Sequence, residues 1–62
     1  MGRNKKLSAK NRADKLVSFW QEPYTKKFVV GVQGTDHWYQ FSEDQERQAK
    51  AKFQELVSSY ID

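Results

Sequence analysis

Two short runs of alternating apolar residues on either side of a polar turn restrict the fold of this chain more than any other feature. Apart from Val29 and Trp38, the large apolar residues of the two strands fall at every second position within residues 24–32 and 37–41, namely Phe28, Val30, Val32, Tyr39 and Phe41. A period of two is typical of strands that bury one face. Residues 33–36 form the turn, and a register that pairs Val30 with Tyr39 brings these side chains to one face. The sequence therefore predicts an antiparallel β-hairpin.

Apolar residues with helical spacing lie on both sides of this hairpin. Before it, Ser8 can cap a helix over residues 9–21, whose apolar stripe is Ala9, Ala13, Leu16, Val17 and Trp20. After it, Ser42 and Gln45 form a capping-box pattern ahead of a second stripe, which is Ala49, Phe53, Leu56, Val57 and Tyr60. We therefore expect one helix before the hairpin, ended by Pro23, and one after it.

These elements predict an α+β fold, a small two-layer domain with the order helix-strand-strand-helix, in which two helices cover a two-stranded antiparallel hairpin. The 62 residues are enough for a single domain, with residues 1–7 as a flexible basic arm. The expected core centres on Leu16, Trp20, Phe53 and Leu56. A two-stranded sheet leaves both edges open, so a second copy or another partner is expected to supply the missing strands, which makes a homodimer possible.

Several kinds of chemistry lack the residues they need. The chain has no cysteine and one histidine, which argues against a disulfide framework, a thiolate zinc site and a histidine metal site. No glycine-rich phosphate loop or nucleophile elbow is present. No apolar run is long enough to cross a membrane. We therefore predict a cytoplasmic protein that is not an enzyme, without metal, cofactor or membrane partner.

The basic residues are concentrated at the start of the chain. Residues 1–15 hold six bases and one acid, a net charge of +5, whereas residues 16–62 hold five bases and seven acids, a net charge of −2. A basic end on a mildly acidic body favours an anionic partner such as a nucleic-acid backbone, although a solubilising tail gives the same pattern. The candidate phosphate contacts are Arg3, Lys5, Lys6, Lys10, Arg12 and Lys15.

Trp38 is the second candidate site. In the predicted hairpin it points away from the helices and lies opposite Gly31, which leaves room for the indole. An exposed indole there can stack on a nucleic-acid base with Lys27 nearby, or anchor a protein interface, or simply cover the back of the sheet.

The stretch from Gly34 through Thr35 and Asp36 to His37 is similar to the Gly-Ser-His turn of the small HicA-type messenger-RNA-cleaving toxins, which also place a helix on each side of a hairpin. The resemblance covers a short stretch, and Asp36 stands where that family has His. It implies a ribonuclease that uses His37 as its catalytic group.

The leading hypothesis from the sequence is a small non-catalytic module that binds a nucleic acid or a nucleoprotein through its basic N-terminal arm and helix. The alternative is a protein-binding regulator or inhibitor, of the kind found in mobile elements, that occludes a larger enzyme. The ribonuclease is the third interpretation.

Overall fold

A computed structural model describes residues 6–62, so Arg3 and Lys5 lie outside the described residues. The sheet consists of four antiparallel strands in the order β1-β2-β3-β4. A 3-10 turn at Glu43–Gln45 follows the sheet and leads directly into the helix. The elements are β1 (Lys6–Lys10), β2 (Leu16–Gln21), β3 (Phe28–Val32), β4 (Trp38–Phe41) and α1 (Glu46–Val57).

The hairpin predicted from the alternating pattern is confirmed as β3 and β4. Phe28 pairs with Phe41, Val30 with Tyr39 and Gly31 with Trp38, which is the register that the sequence predicted. The turn is closed by the Val32 N–H, which donates to the His37 carbonyl oxygen at 3.0 Å.

The helix predicted over residues 9–21 is wrong, and with it the helix-strand-strand-helix architecture. This segment forms the end of β1, a turn at residues 11–15 and β2. Asp14 has a φ of 65°, which a helix interior does not allow. The Asn11 carboxamide oxygen accepts hydrogen bonds from the backbone N–H groups of Ala13 and Lys15, and such local bonds compete with a helix.

The two additional strands also correct the expectation that a second copy or partner must supply them. β1 and β2 come from the same chain and extend the hairpin to a four-stranded sheet. Lys6 and Leu7, assigned to a flexible arm from the sequence, belong to β1. β3 is a central strand rather than an edge, and the two edges are β1 and β4.

The helix after the hairpin is confirmed and covers one face of the sheet. The Gln45 side chain accepts a hydrogen bond of 3.1 Å from the Ser42 N–H just before the helix. Ala49, Phe53 and Leu56 are buried against the sheet. The core also contains Val17, Phe19, Phe28, Val30 and Val32.

The core is a single apolar layer between α1 and the sheet. The Phe19 ring lies at its centre, with centroid distances of 5.6 Å to Phe28 and 6.0 Å to Phe53. Leu16 and Trp20, expected in this core, are not part of it, because they alternate with Val17 and Phe19 along β2 and project from the opposite face. That opposite face has no helix over it among residues 6–62.

Candidate functional site

The face of the sheet turned away from α1, called the open face below, holds the side chains that alternate with the core residues. In an antiparallel sheet, residues paired across strands share a face, so the pairing defines this surface. Its rows run from β1 to β4 through Lys6, Trp20, Val29 and Gln40, and through Ser8, Ser18, Gly31 and Trp38, with Lys10 and Leu16 at one end.

Two tryptophans from different strands meet on the open face. The rings of Trp20 on β2 and Trp38 on β4 are 5.7 Å apart between centroids at an angle of 64°, an edge-to-face arrangement that spans β3. The Trp20 indole N–H donates to a Glu22 carboxylate oxygen at 3.2 Å, which holds the ring in place. The pair covers Val29 and Gly31, so that β3 is buried on both faces.

Trp38 lies directly over Gly31, as the sequence predicted. A Cβ built on Gly31 would lie only 2.1 Å from the Trp38 ring, so the indole occupies the space that any other residue would fill. Trp38 nevertheless remains 37% exposed, and Leu16 on the same face is 40% exposed. Part of the aromatic surface therefore has a structural role, and part is accessible to a ligand.

An open groove of about 590 Å³ runs beside Trp20 and includes part of β1. The polar residues that line it are Ser8, Ser18, Gln33 and Lys6, and the apolar ones are Leu7, Phe19 and Trp20. The Gln33 amide donates to the Ser18 hydroxyl at 3.1 Å, which fixes its position. The groove thus places hydrogen-bonding groups and a cation next to an indole.

The predicted basic site residues divide into two groups in the structure. Lys6 and Lys10 lie on the open face along β1, and Lys27 comes directly before β3 at the end of that face. Lys10 forms an ion pair of 3.4 Å with Asp14, and both side chains are largely exposed. Exposed pairs of this kind contribute about 0–1 kcal/mol, so Lys10 can exchange Asp14 for a phosphate at low cost. Within residues 6–62, no ion pair involves Lys6 or Lys27.

Arg12 and Lys15 lie instead against the C-terminal segment. The Arg12 N–H donates to the Ser59 carbonyl oxygen at 3.0 Å, and its guanidinium lies 5.9 Å from the centre of the Tyr60 ring. Lys15 forms an ion pair of 3.4 Å with Asp62. These two residues were predicted to extend a basic helix, but they belong to the β1–β2 turn and are separated from the indole pair.

The acidic residues of the described chain lie outside the strands, although Glu22 contacts Trp20 and Asp14 contacts Lys10 at the open face. None of the four strands contains an acid. Four acids lie in the layer that covers the other face, in the 3-10 turn and the helix, namely Glu43, Asp44, Glu46 and Glu55. The helical layer also carries Arg47, Lys50 and Lys52, so its net charge is 3 minus 4, or −1. The open face has Lys6, Lys10 and Lys27 beside Asp14 and Glu22, a net charge of 3 minus 2, or +1. The two faces therefore differ modestly in charge, with the positive side on the exposed sheet.

The groups needed for the ribonuclease interpretation are not assembled around His37. His37 is exposed, and its backbone N–H donates to the Thr35 hydroxyl at 3.1 Å. Within residues 6–62, no hydrogen bond or ion pair orients its imidazole. The ribonuclease therefore stays a prediction to which the geometry adds no support.

Searches for other kinds of site and for relatives were negative. In the part of the chain that the structure describes, no cluster of three or more His, Asp or Glu residues is placed to hold a metal ion, and no helix is both long and apolar enough to span a membrane. Comparison of the chain with protein-family models, with curated proteins and with solved structures found no match.

Trp20, Ser8, Ser18 and Gln33 are the site residues that sequence reasoning missed. Trp20 was assigned to the apolar stripe of a helix, which placed it in the core. The signal that identifies it is the alternation of Val17 and Phe19 with Ser18 and Trp20, a period of two that marks a strand. With β2 recognised as a strand, Trp20 and Ser18 fall on the same face as Trp38.

Proposed function

We propose that this protein is a nucleic-acid-binding module whose contact surface is the open face of the sheet. The observation that carries the proposal is the combination on one face of a partly exposed indole pair, in which Trp38 is 37% exposed, with the cations of β1. Cations hold phosphates and aromatic rings contact bases, which are the two elements of nucleic-acid recognition.

Two further bases come shortly before β1 in the sequence. Arg3 and Lys5 precede Lys6, the first residue of β1, and lie outside the described residues, so their part in binding is a prediction from the sequence. Arg12 and Lys15 are not included in the proposed contact, because their positions at the C-terminal segment separate them from the indoles. A cytoplasmic location and the absence of catalysis remain predictions.

The test neutralises charge on one face at a time in the full chain. Lys6→Gln/Lys10→Gln removes two cations from the open face, and the matched control Arg47→Gln/Lys50→Gln removes two exposed cations from α1 with the same change in net charge. Fluorescence anisotropy with labelled oligonucleotides at low salt measures affinity. We expect the first pair to weaken binding by roughly tenfold and the second to have little effect.

Equal losses in the two pairs would show that net charge rather than the open face drives binding, and would contradict the proposed surface. No binding by the unaltered protein at low salt would contradict the function itself.

A second candidate is the protein-binding regulator that occludes a larger partner. The observation that favours it is the apolar character of the exposed patch, because Trp38 and Leu16 are both more than one third exposed and tryptophan is enriched at the centre of protein interfaces. In this case Trp38→Ala abolishes binding to the partner and Lys6→Gln/Lys10→Gln has little effect, the reverse of the pattern expected from phosphate contacts.

A homodimer through the β1 edge is disfavoured by charge. An antiparallel pairing of two β1 strands centred on Ser8 places Lys6 of each copy opposite Lys10 of the other, and like charges in directly opposed positions destabilise a sheet. A homodimer through the β4 edge stays a prediction, which measurement of the mass in solution tests.

A further inference from the structure

We infer that the open face takes single-stranded nucleic acid, whose unpaired bases stack on Trp38 and enter the groove beside Trp20. The inference rests on the proposed function and names its substrate class. Three features of the open face support the inference. They are the exposed part of the Trp38 ring, the polar residues that line the groove, and the positions of Lys6 and Lys10 on β1.

The aromatic surface on which a base can stack is the exposed part of Trp38. Trp38 is fixed over Gly31 on one side and against Trp20 at its edge, yet over a third of its surface remains exposed. A ring that is already immobilised loses little conformational entropy when a base stacks on it. Stacking needs an accessible base face, and in a duplex each base face is covered by its neighbours.

The groove beside Trp20 offers polar residues to the edge of a base. Ser8 and Ser18 are paired across β1 and β2 and line the groove beside Trp20 together with Gln33, whose amide donates to the Ser18 hydroxyl. Hydroxyl and amide groups can both donate and accept hydrogen bonds, so they suit the edge of a base. A base that uses this edge contact and the indole at the same time must be unpaired, because its pairing edge and its face are both engaged.

Two lysines of β1 are available to the phosphate backbone of the ligand. Lys6 lines the groove itself, and Lys10 lies four residues further along the same edge strand and on the same face. A base in the groove beside Trp20 has Lys6 next to it for its phosphate, because Lys6 pairs with Trp20 across β1 and β2. Aromatic rings beside a line of cations form the arrangement that non-specific single-strand binding uses.

A second copy of this chain is a poor occupant of the same face. Two open faces packed together would bring Lys6, Lys10 and Lys27 of both copies into one interface, where Asp14 and Glu22 leave each face with an excess of one positive charge. Charge complementarity therefore favours a polyanion over a second copy.

Both tryptophans of the chain lie on the open face, so tryptophan fluorescence of the full-length protein, excited where tyrosine does not absorb, reports on this surface. The experiment titrates the protein with three ligands of about 12 nucleotides, a length within the usual site sizes. They are a single strand, a hairpin duplex of the same sequence and a strand with abasic sugars that keeps the phosphates. Fluorescence quenching measures stacking, and anisotropy of a labelled ligand measures affinity.

The expected result is quenching by the single strand only, with an affinity at least about tenfold higher than for the duplex or the abasic strand. Trp38→Leu, which retains an apolar cover over Gly31, weakens single-strand binding by about 5- to 150-fold, the range typical of losing one stacked base. Leu16→Ala, a change to an equally exposed residue of the same face, has a smaller effect.

The outcomes separate the inference from the proposed function. Equal affinity for the single strand, the duplex and the abasic strand, without quenching, would overturn the inference and leave a module that binds phosphates. Absence of binding to all three would overturn both. Because quenching is measured on the unaltered protein, the result does not depend on whether Trp38→Leu folds.

Discussion

The carboxamide of Asn11 donates a hydrogen bond of 2.8 Å to the carbonyl oxygen of Ile61 and so joins the first turn of the sheet to the end of the chain. Its oxygen accepts hydrogen bonds from the N–H groups of Ala13 and Lys15 within the turn. Asn11 is only 7% exposed and is the one buried polar side chain in the described part of the protein. One residue therefore shapes the β1–β2 turn and anchors the segment after α1.

Replacing Asn11 is expected to destabilise the protein far more than most substitutions in a turn. Asn11→Ala leaves two backbone N–H groups without their acceptor and breaks the contact with Ile61, which should cost about 1–3 kcal/mol. Urea denaturation followed by circular dichroism measures the change in the free energy of unfolding. Ala13→Ser, which leaves all three hydrogen bonds in place, serves as the control. A loss for Asn11→Ala no larger than for the control would show that water replaces these bonds without penalty.

Phe53 is the residue of α1 expected to contribute most to the core. It is 6% exposed and packs edge-on against Phe19, so truncation leaves a cavity between the helix and the sheet. Phe53→Ala should cost about 3–5 kcal/mol, which is comparable with the whole stability of a small domain. Phe53→Leu keeps most of the volume and should cost less than about 1.5 kcal/mol. Thermal unfolding distinguishes the two variants, and similar melting temperatures would contradict this account of the core.

Gly31 is expected to tolerate no side chain while Trp38 covers it. In Gly31→Ala the new methyl group would overlap the Trp38 ring and lie 2.8 Å from the His37 carbonyl oxygen. The indole must move, and overpacking of this kind costs about 1–3 kcal/mol. A double-mutant cycle with Trp38→Ala tests the cause, because removal of the indole should relieve much of the cost. An unchanged cost in the Trp38→Ala background would assign the strain to the His37 carbonyl instead.

The parts of the fold that the sequence predicts correctly are those fixed by local signals. The alternation before and after the turn at residues 33–36 determines both the existence of the β3–β4 hairpin and its register. The capping residues Ser42 and Gln45 with the apolar stripe of α1 determine the helix. In each case the turn or cap and the periodicity agree, so few alternatives remain.

The first third of the chain is different because its apolar spacing fits two structures. Residues 16–21 contain apolar side chains at four of six positions, which is compatible with one face of a helix or with a strand that has apolar residues on both faces. Contacts between residues distant in sequence favour the strand over the helix, because Val17 pairs with Val32 and Phe19 with Val30. These pairs bury β3 between two neighbours, and local propensity alone does not reveal them.

The same ambiguity explains which part of the candidate site was predicted. Trp38 and Gly31 belong to the hairpin, so their juxtaposition follows from its register. Trp20 belongs to the ambiguous segment, and its contact with Trp38 depends on β2 being a strand. The concentration of bases near the N-terminus is visible in the sequence, but the separation of Lys6 and Lys10 from Arg12 and Lys15 requires the turn at Asn11.

The salt dependence of binding measures how many phosphates the open face engages. On a single strand, each phosphate neutralised by a lysine or arginine contributes about −0.7 to the slope of log affinity against log salt concentration. Lys6→Gln/Lys10→Gln should therefore make the slope shallower by about 1.4, because two contacts are lost. Arg12→Gln/Lys15→Gln should leave the slope unchanged, since those side chains face Tyr60 and Asp62 rather than the open face. Titrations at several salt concentrations give the slopes. The reverse result, with the slope altered only by the turn variants, would move the phosphate contacts from the open face to the C-terminal side of the domain.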